Sequence, residues 1–159
     1  AIEAVKTMND VCLEAEKSPT AKVSHHRLHE NFEGIDETIA LSSMYAANHL
    51  GARVVATLTQ TGKTALWMSR ISSNIAIFAM SDNYKTLKKV TIYRGVYPCY
   101  IDKTSADDWN DVNSHVIENL EDSAEVTNGD IVIVTKGMHK DKSGGTNLMK
   151  ILRVGDGNY

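Results

Sequence analysis

Residues 53–70, RVVATLTQTGKTALWMSR, run from a β-branched apolar stretch through a polar turn into a helical pattern. Residues 54–58 are short and apolar enough to form a buried strand, and Ala65, Leu66 and Met68 begin the helical pattern. Gly62 lets the turn adopt a backbone conformation that a Cβ would penalise. The stretch therefore predicts a strand, a tight turn and a helix in direct succession.

The turn carries the groups that recognise a phosphate. Threonine hydroxyls, a lysine and the free N–H groups of a starting helix converge at one strand end, which suits an anionic group. Open α/β sheets bind ligands at the carboxyl ends of their strands, so the position agrees with the composition. In a simpler alternative, Thr61 or Thr64 only caps the helix and Lys63 is solvated. The predicted phosphate-binding residues are Thr59, Gln60, Thr61, Gly62, Lys63 and Thr64.

Residues 62–64, Gly-Lys-Thr, look like the end of a nucleotide-binding P-loop. The first glycine of that motif lies five positions before the second, and this chain has Thr57 there. The spacing therefore argues against a nucleoside triphosphate at this turn.

Hydrophobic periodicity predicts the remaining elements. Apolar residues at helical spacing predict further helices over residues 1–17, 36–50, 82–89 and 106–120. Short apolar runs predict further strands over residues 75–80, 99–101, 131–135 and 148–154. We expect Asp36 to cap the second helix, Gly51 to end it, and residues 93–98 to form a turn.

This order of elements predicts a three-layer α/β/α domain. Alternating strands and helices imply a mostly parallel five-stranded sheet with helices on both faces. No helix separates the last two strands, so the final strand should pair antiparallel at one edge of the sheet.

A second glycine-containing segment follows the fourth predicted strand. Adjacent glycine amides can form a concave nest for an anion, although a surface turn would have the same composition. If the first and fourth strands are neighbours, this segment faces the turn at residues 59–64 and covers a phosphorylated ligand as a mobile lid. The predicted lid residues are Ser143, Gly144, Gly145 and Thr146.

Composition excludes several classes of function. The 159 residues are 42% apolar and 23% charged, which is ordinary for one globular domain, and a net charge of −3 without a basic run argues against nucleic-acid binding. No apolar run approaches the length of a membrane span. Two distant cysteines, Cys12 and Cys99, are no disulfide framework and favour a reducing, cytoplasmic setting.

Three clustered histidines, His25, His26 and His29, would be a metal site in the boldest interpretation. No acidic or thiol partner has ligand-like spacing, so a solvated polar linker is the better interpretation. We therefore predict no metal site in this chain.

Seven stretches of the chain, in order, are similar to the carboxy-terminal part of pyruvate kinase. They are AIEAVKTMNDVCLEAEK, ETIALSSMYAANHL, TQTGKTALWMSRIS, IFAMSDN, YRGVYP, GDIVIVTKG and SGGTNLMKIL. The chain looks closest to the bacterial class that monophosphates activate. The resemblance implies that residues 1–17 are the last helix of an absent catalytic barrel, 18–35 a linker, and 36–159 the regulatory α/β domain.

The resemblance also implies an activity for the intact enzyme. Pyruvate kinase is a cytoplasmic glycolytic transferase that moves a phosphoryl group from phosphoenolpyruvate to ADP with Mg²⁺ and usually K⁺. Its catalytic groups belong to the barrel, so we expect no catalytic residue, no cofactor and no activity in the isolated chain. Regulatory domains of the family pair within a homotetramer through the last helix and the edge strand.

The two polar segments correspond to the effector loops of the family. Members that bind fructose 1,6-bisphosphate place an arginine near the last helix, and residues 103–128 contain none. A second phosphate without a cation would lose strong charge-assisted bonds. We therefore expect a sugar monophosphate or AMP, although Lys140 or Lys142 could replace the arginine.

Two alternatives in other classes remain open. The chain could be a structural dimerisation module with a vestigial pocket, or a free-standing P-loop-like phosphotransferase that uses Lys63 and Thr64. If residues 1–17 are the last helix of an absent barrel, the apolar face of that helix, formed by Val5, Met8, Cys12 and Ala15, lacks the partner against which it would pack. We expect that face to pack against a neighbouring chain or the helix to be mobile.

Overall fold

A computed structural model describes residues 2–18, 32–71, 73–102, 109–137 and 145–157, with only the backbone for 109–111. Its helices are α1 (Ile2–Glu16), α2 (Ile35–Leu50), α3 (Lys63–Ser69), α4 (Tyr84–Val90) and α5 (Trp109–Asp122). Its strands are β1 (Val54–Leu58), β2 (Ala76–Ser81), β3 (Val96–Tyr100), β4 (Ile131–Gly137) and β5 (Thr146–Arg153). From β1 onward, each of the first three strands is followed by a helix, as predicted.

The strands form one five-stranded sheet in the order β3-β2-β1-β4-β5. The neighbours within β3-β2-β1-β4 pair parallel, and β5 pairs antiparallel with β4 at the edge. The prediction of a mostly parallel sheet with an antiparallel edge strand is therefore confirmed.

The sheet separates two apolar clusters. On one face, Val54, Ala56 and Val132 pack against α5 through Val116 and Leu120. On the other face, alternate residues of the same strands pack against α2, α3 and α4; the cluster includes Val55, Ile133, Met44, Met68 and Val90. Every residue of β1 is buried, as expected for a central strand covered on both sides.

Two boundaries differ from the sequence prediction for physical reasons. The predicted turn over residues 93–98 is shorter than expected: residues 93–95 form it, and β3 begins at Val96 and includes Pro98. Proline lacks an N–H but is tolerated here because β3 is an edge strand. Asp36 is not the N-cap of α2: Gly34 occupies that position, and Asp36 lies in the first turn. Gly51 does end α2, with φ of 64°.

Helix α1 buries no residue. Ile2, Val5 and Met8 are 75%, 67% and 67% exposed, so its apolar residues are uncovered within the described part of the chain. Its expected packing against another chain, or its mobility, stays a prediction, as does the assignment of residues 1–17 to a barrel. No helix among the described residues combines the length and apolarity needed to span a bilayer.

Candidate functional site

The strand order reverses between β1 and β4. From β1 the chain moves outward through β2 and β3 and then returns to form β4 on the other side of β1. In doubly wound sheets, the crevice beyond the carboxyl ends of the strands at such a reversal is the usual ligand site. Residues 59–62, which follow β1, therefore lie where a ligand site is expected.

The turn after β1 is fixed by its own hydroxyl and by a glycine. The Gly62 N–H donates to Thr59 Oγ1 at 2.9 Å, and the Thr59 N–H donates to the Met80 carbonyl at 3.0 Å. Gly62 has φ of 75°, and a Cβ there would lie 2.8 Å from Cγ1 of Val90. Glycine is thus required both by the backbone conformation and by the packing against α4.

Helix α4 braces the same turn from the side. The Thr86 hydroxyl donates to the Gln60 carbonyl, and Lys89 Nζ donates to the Thr61 carbonyl at 3.2 Å. Both carbonyl groups therefore accept a hydrogen bond from a side chain of α4. Sequence analysis did not find these two residues, because no local pattern links α4 to a turn 26 or 28 residues earlier.

The capping alternative for the threonines is wrong. The N-cap of α3 is Gly62, and no side chain caps the helix. Instead the Thr64 and Thr146 hydroxyls hydrogen-bond to each other at 2.7 Å across 82 residues of sequence. Both side chains are buried, at 3% and 6% exposure. The first turn of α3 and the start of β5 therefore meet.

The second predicted segment is described only in part, since Ser143 and Gly144 lie outside the described residues. Thr146 is the first residue of β5, and the role of the segment as a lid stays a prediction. Gly137 is paired with Thr146 beside a register shift between β4 and β5. A Cβ on Gly137 would lie 2.6 Å from the Gly145 carbonyl oxygen, so the two strands approach closely here.

Lys63 forms an ion pair with a buried acid. Its Nζ lies 2.8 Å from Oδ2 of Asp36, whose side chain is 7% exposed, whereas the Lys63 side chain is 48% exposed. The interpretation of Lys63 as simply solvated is therefore wrong. The sequence predicted Asp36 as the N-cap of α2. Its ion-pair partner, Lys63, lies 27 positions further along the chain, and only the fold brings the two residues together.

Two further hydroxyls lie buried beneath the site. Thr57 in β1 and Thr135 in β4 are register partners near the carboxyl ends of their strands, and both are fully buried. Neither Oγ1 has a hydrogen-bond partner among the described residues. The signal in the sequence was a threonine inside each of two apolar runs. The sequence analysis considered Thr57 only as a departure from the P-loop motif and gave Thr135 no role.

The described residues offer little catalytic chemistry. Within them, no three His, Cys, Asp or Glu side chains are grouped to hold a metal ion; the cluster of His25, His26 and His29 lies outside them. Cys12 and Cys99 are free thiols, and burial raises the pKa of Cys99, which makes it a poor nucleophile. The Mg²⁺ and K⁺ of the intact enzyme stay an expectation for other parts of it.

The fold and the crevice define a doubly wound α/β domain with its candidate site at the reversal of strand order. The family model described as pyruvate kinase, alpha/beta domain, matches residues 37–152. The chain belongs to this family, as the resemblance in the sequence indicated.

Individual relatives agree with the family match. Pyruvate kinase of Buchnera aphidicola subsp. Baizongia pistaciae is 44% identical over 154 residues, and pyruvate kinase II of Salmonella typhimurium is 46% identical over 153 residues. Pyruvate kinase of Staphylococcus haemolyticus is 28% identical over 155 residues. The first two matches cover 96% of this chain but only 32% of each relative, and the third covers 97% of this chain and 26% of its relative.

Proposed function

We propose that the chain is the regulatory domain of a pyruvate kinase and binds a phosphorylated effector between residues 59–64 and the start of β5. The observation that carries the proposal is the buried Thr64–Thr146 hydrogen bond of 2.7 Å, which joins the two hydroxyl-bearing segments at the reversal of strand order. Helix α3 has only 7 residues, so its dipole is a minor contribution. Binding relies on hydroxyl groups, backbone amides and Lys63.

The activity belongs to the intact enzyme, in which phosphoenolpyruvate and ADP give pyruvate and ATP. We expect the isolated chain to be inactive, because it matches only 32% of its relative and the resemblance assigns the catalytic barrel, with its Mg²⁺ and K⁺, to the rest of the enzyme. Effector binding acts by linkage: it stabilises one arrangement of a cytoplasmic homotetramer by binding that arrangement more tightly. The barrel is one partner, and other subunits pair through α5 and the edge strand β5.

A monophosphate is the favoured effector. No arginine lies between residues 103 and 128 to hold a second phosphate. A sugar monophosphate or AMP needs only one cation at the turn, and Lys63 supplies it. Lys140 and Lys142, which could have replaced the arginine, lie outside the described residues.

The phosphotransferase alternative is disfavoured by the geometry. Thr57, at the position of the first P-loop glycine, is paired on both sides inside the sheet, with Ala79 and Thr135. The loop therefore begins only at residue 59 and is too short to wrap a triphosphate. The dimerisation alternative predicts no effector binding, which an experiment can decide.

Calorimetric titration with glucose 6-phosphate, ribose 5-phosphate and AMP tests the proposal. We expect at least one to bind, and the double variant Thr61→Ala/Lys63→Ala to abolish binding. Lys88→Ala is the matched control, since Lys88 is an exposed lysine of α4 beside the bracing residue Lys89. Absence of binding to the unaltered chain, or undiminished binding to the double variant, refutes the effector site. Turnover of ATP by the isolated chain would support the phosphotransferase instead.

A further inference from the structure

The ion pair between Lys63 and Asp36 is asymmetric. Asp36 is nearly buried at 7% exposure, and Lys63 reaches it from a side chain that is 48% exposed. Lysine carries its charge on a flexible four-carbon stem, so its ammonium group can turn to another anion without moving the backbone. Of the two partners, the lysine is the one that is free to leave.

Asp36 is held where it is by its surroundings. It lies in the first turn of α2, where a negative charge is favoured by the unpaired N–H groups of the helix. Its Oδ1 occupies space that only a glycine leaves open, since a Cβ on Gly34 would lie 2.6 Å from that oxygen. Both features favour the position that the carboxylate takes beside Lys63.

A phosphate that binds Lys63 must compete with the Asp36 carboxylate for the ammonium group. The ammonium group can turn from Asp36 to the phosphate, or it can bridge both anions and leave two negative charges close together. Either arrangement lowers the affinity, because a buried charge loses its partner or like charges repel in a partly buried site. We infer that Asp36 is a resident counter-ion that competes with the effector phosphate for Lys63 and so sets the affinity of the site. This inference rests on the proposed function.

The test is Asp36→Asn, which keeps the shape of the side chain and removes its charge. We expect it to bind the monophosphates about tenfold more tightly than the unaltered chain does in the same calorimetric titration. Glu37→Gln is the matched control, since it makes the same change of charge in the same helical turn; we expect its affinity to change less than twofold. If Asp36 only supports the fold, its replacement lowers the unfolding midpoint and leaves affinity unchanged, which overturns the inference.

The same substitution made in a variant that lacks the Lys63 side chain shows whether Asp36 changes the affinity through Lys63. In Lys63→Ala, the further change Asp36→Asn should alter the already weakened affinity less than threefold, and a full tenfold gain there would contradict competition for the lysine. If Asp36→Asn does not fold, Gly34→Ala replaces it, because the added methyl displaces the carboxylate without removing it; a gain in affinity supports the inference, and no gain overturns it.

The outcomes separate this inference from the proposed function. Binding by the unaltered chain without a gain in Asp36→Asn refutes the counter-ion and leaves the effector site standing. Binding by Asp36→Asn but not by the unaltered chain supports the counter-ion and refutes effector binding by the unaltered chain. No binding by either protein refutes both.

Discussion

The segments that follow β1 and β4 are held in place by different contacts. After β1 the chain turns directly into α3 and is fixed by contacts to its own Thr59 and to α4. After β4 the chain returns as β5, and its described end is held by Thr146 and by a close approach between Gly137 and Gly145. The first segment is braced throughout, and the second is anchored where β5 begins.

This difference assigns separate tasks to the two sides of one crevice. The braced turn has a fixed backbone and a fixed Thr59 hydroxyl, which would lower the entropic cost of holding the proposed ligand, whereas the Lys63 side chain is free to turn. The anchored strand brings Thr146 to the turn but depends on packing between β4 and β5. Substitutions should therefore act through local backbone geometry on the first side and through strand pairing on the second.

The largest effect is expected for Gly62→Ala. Its left-handed backbone and the 2.8 Å approach to Val90 should together cost about 3 kcal/mol of unfolding free energy, measured by urea denaturation. Gly51→Ala is the control, because φ there is also positive but a Cβ would meet nothing within 4 Å. It should cost only about 1 kcal/mol. Equal losses would show that packing against α4 does not brace the turn.

Gly137→Ala should cost about 2 kcal/mol, because the methyl group meets the backbone oxygen of Gly145. The loss of stability should be confined to the end of β5 that lies next to Gly137. Amide hydrogen exchange should accelerate at Thr146 and Leu148 and stay unchanged at Leu152, near the other end of β5. Uniform acceleration along β5 would contradict a local anchor.

The buried hydroxyl pair can be tested by a double-mutant cycle. Thr64→Val and Thr146→Val should each cost about 1.5 kcal/mol, since each leaves the other hydroxyl buried and unpaired. The double variant should cost no more than one of them, because both polar groups are then gone. Additive losses would mean that the two hydroxyls do not depend on each other. Thr38→Val, at an exposed threonine, should change stability by less than about 0.5 kcal/mol.

The smallest effect is expected for Lys89→Ala. Its bond to the Thr61 carbonyl is exposed, so its loss should cost about 0.5 kcal/mol in the same urea titration. Lys88→Ala should cost nothing measurable. A loss above about 2 kcal/mol for Lys89→Ala would show that an exposed cation, rather than the buried contacts, holds the turn.

The elements that sequence analysis located well are those that local chemistry specifies. Strand β1 was predicted with its observed bounds, because a fully buried strand is a continuous apolar run. The start of β3 was missed, since the edge position that tolerates Pro98 is a property of the whole sheet. The adjacency of β1 and β4 was only a condition in the sequence analysis, and the observed order β3-β2-β1-β4-β5 meets that condition.

The partners within the site could not be predicted from local patterns. The left-handed Gly62 is a local requirement and was expected. The Thr64–Thr146 and Lys63–Asp36 contacts join residues that only the packed fold brings together. Asp36 satisfied the composition of an N-cap, so a local rule gave it the wrong role.

Amide chemical shifts during titration with ribose 5-phosphate, glucose 6-phosphate or AMP test most directly that both sides of the crevice form one phosphate site. The account predicts that Thr61, Gly62 and Lys63 shift together with Gly145 and Thr146, that both groups saturate with one Kd, and that Thr61→Ala/Lys63→Ala shows neither. Shifts confined to one side of the crevice, or saturable shifts only elsewhere in the sheet, would contradict it.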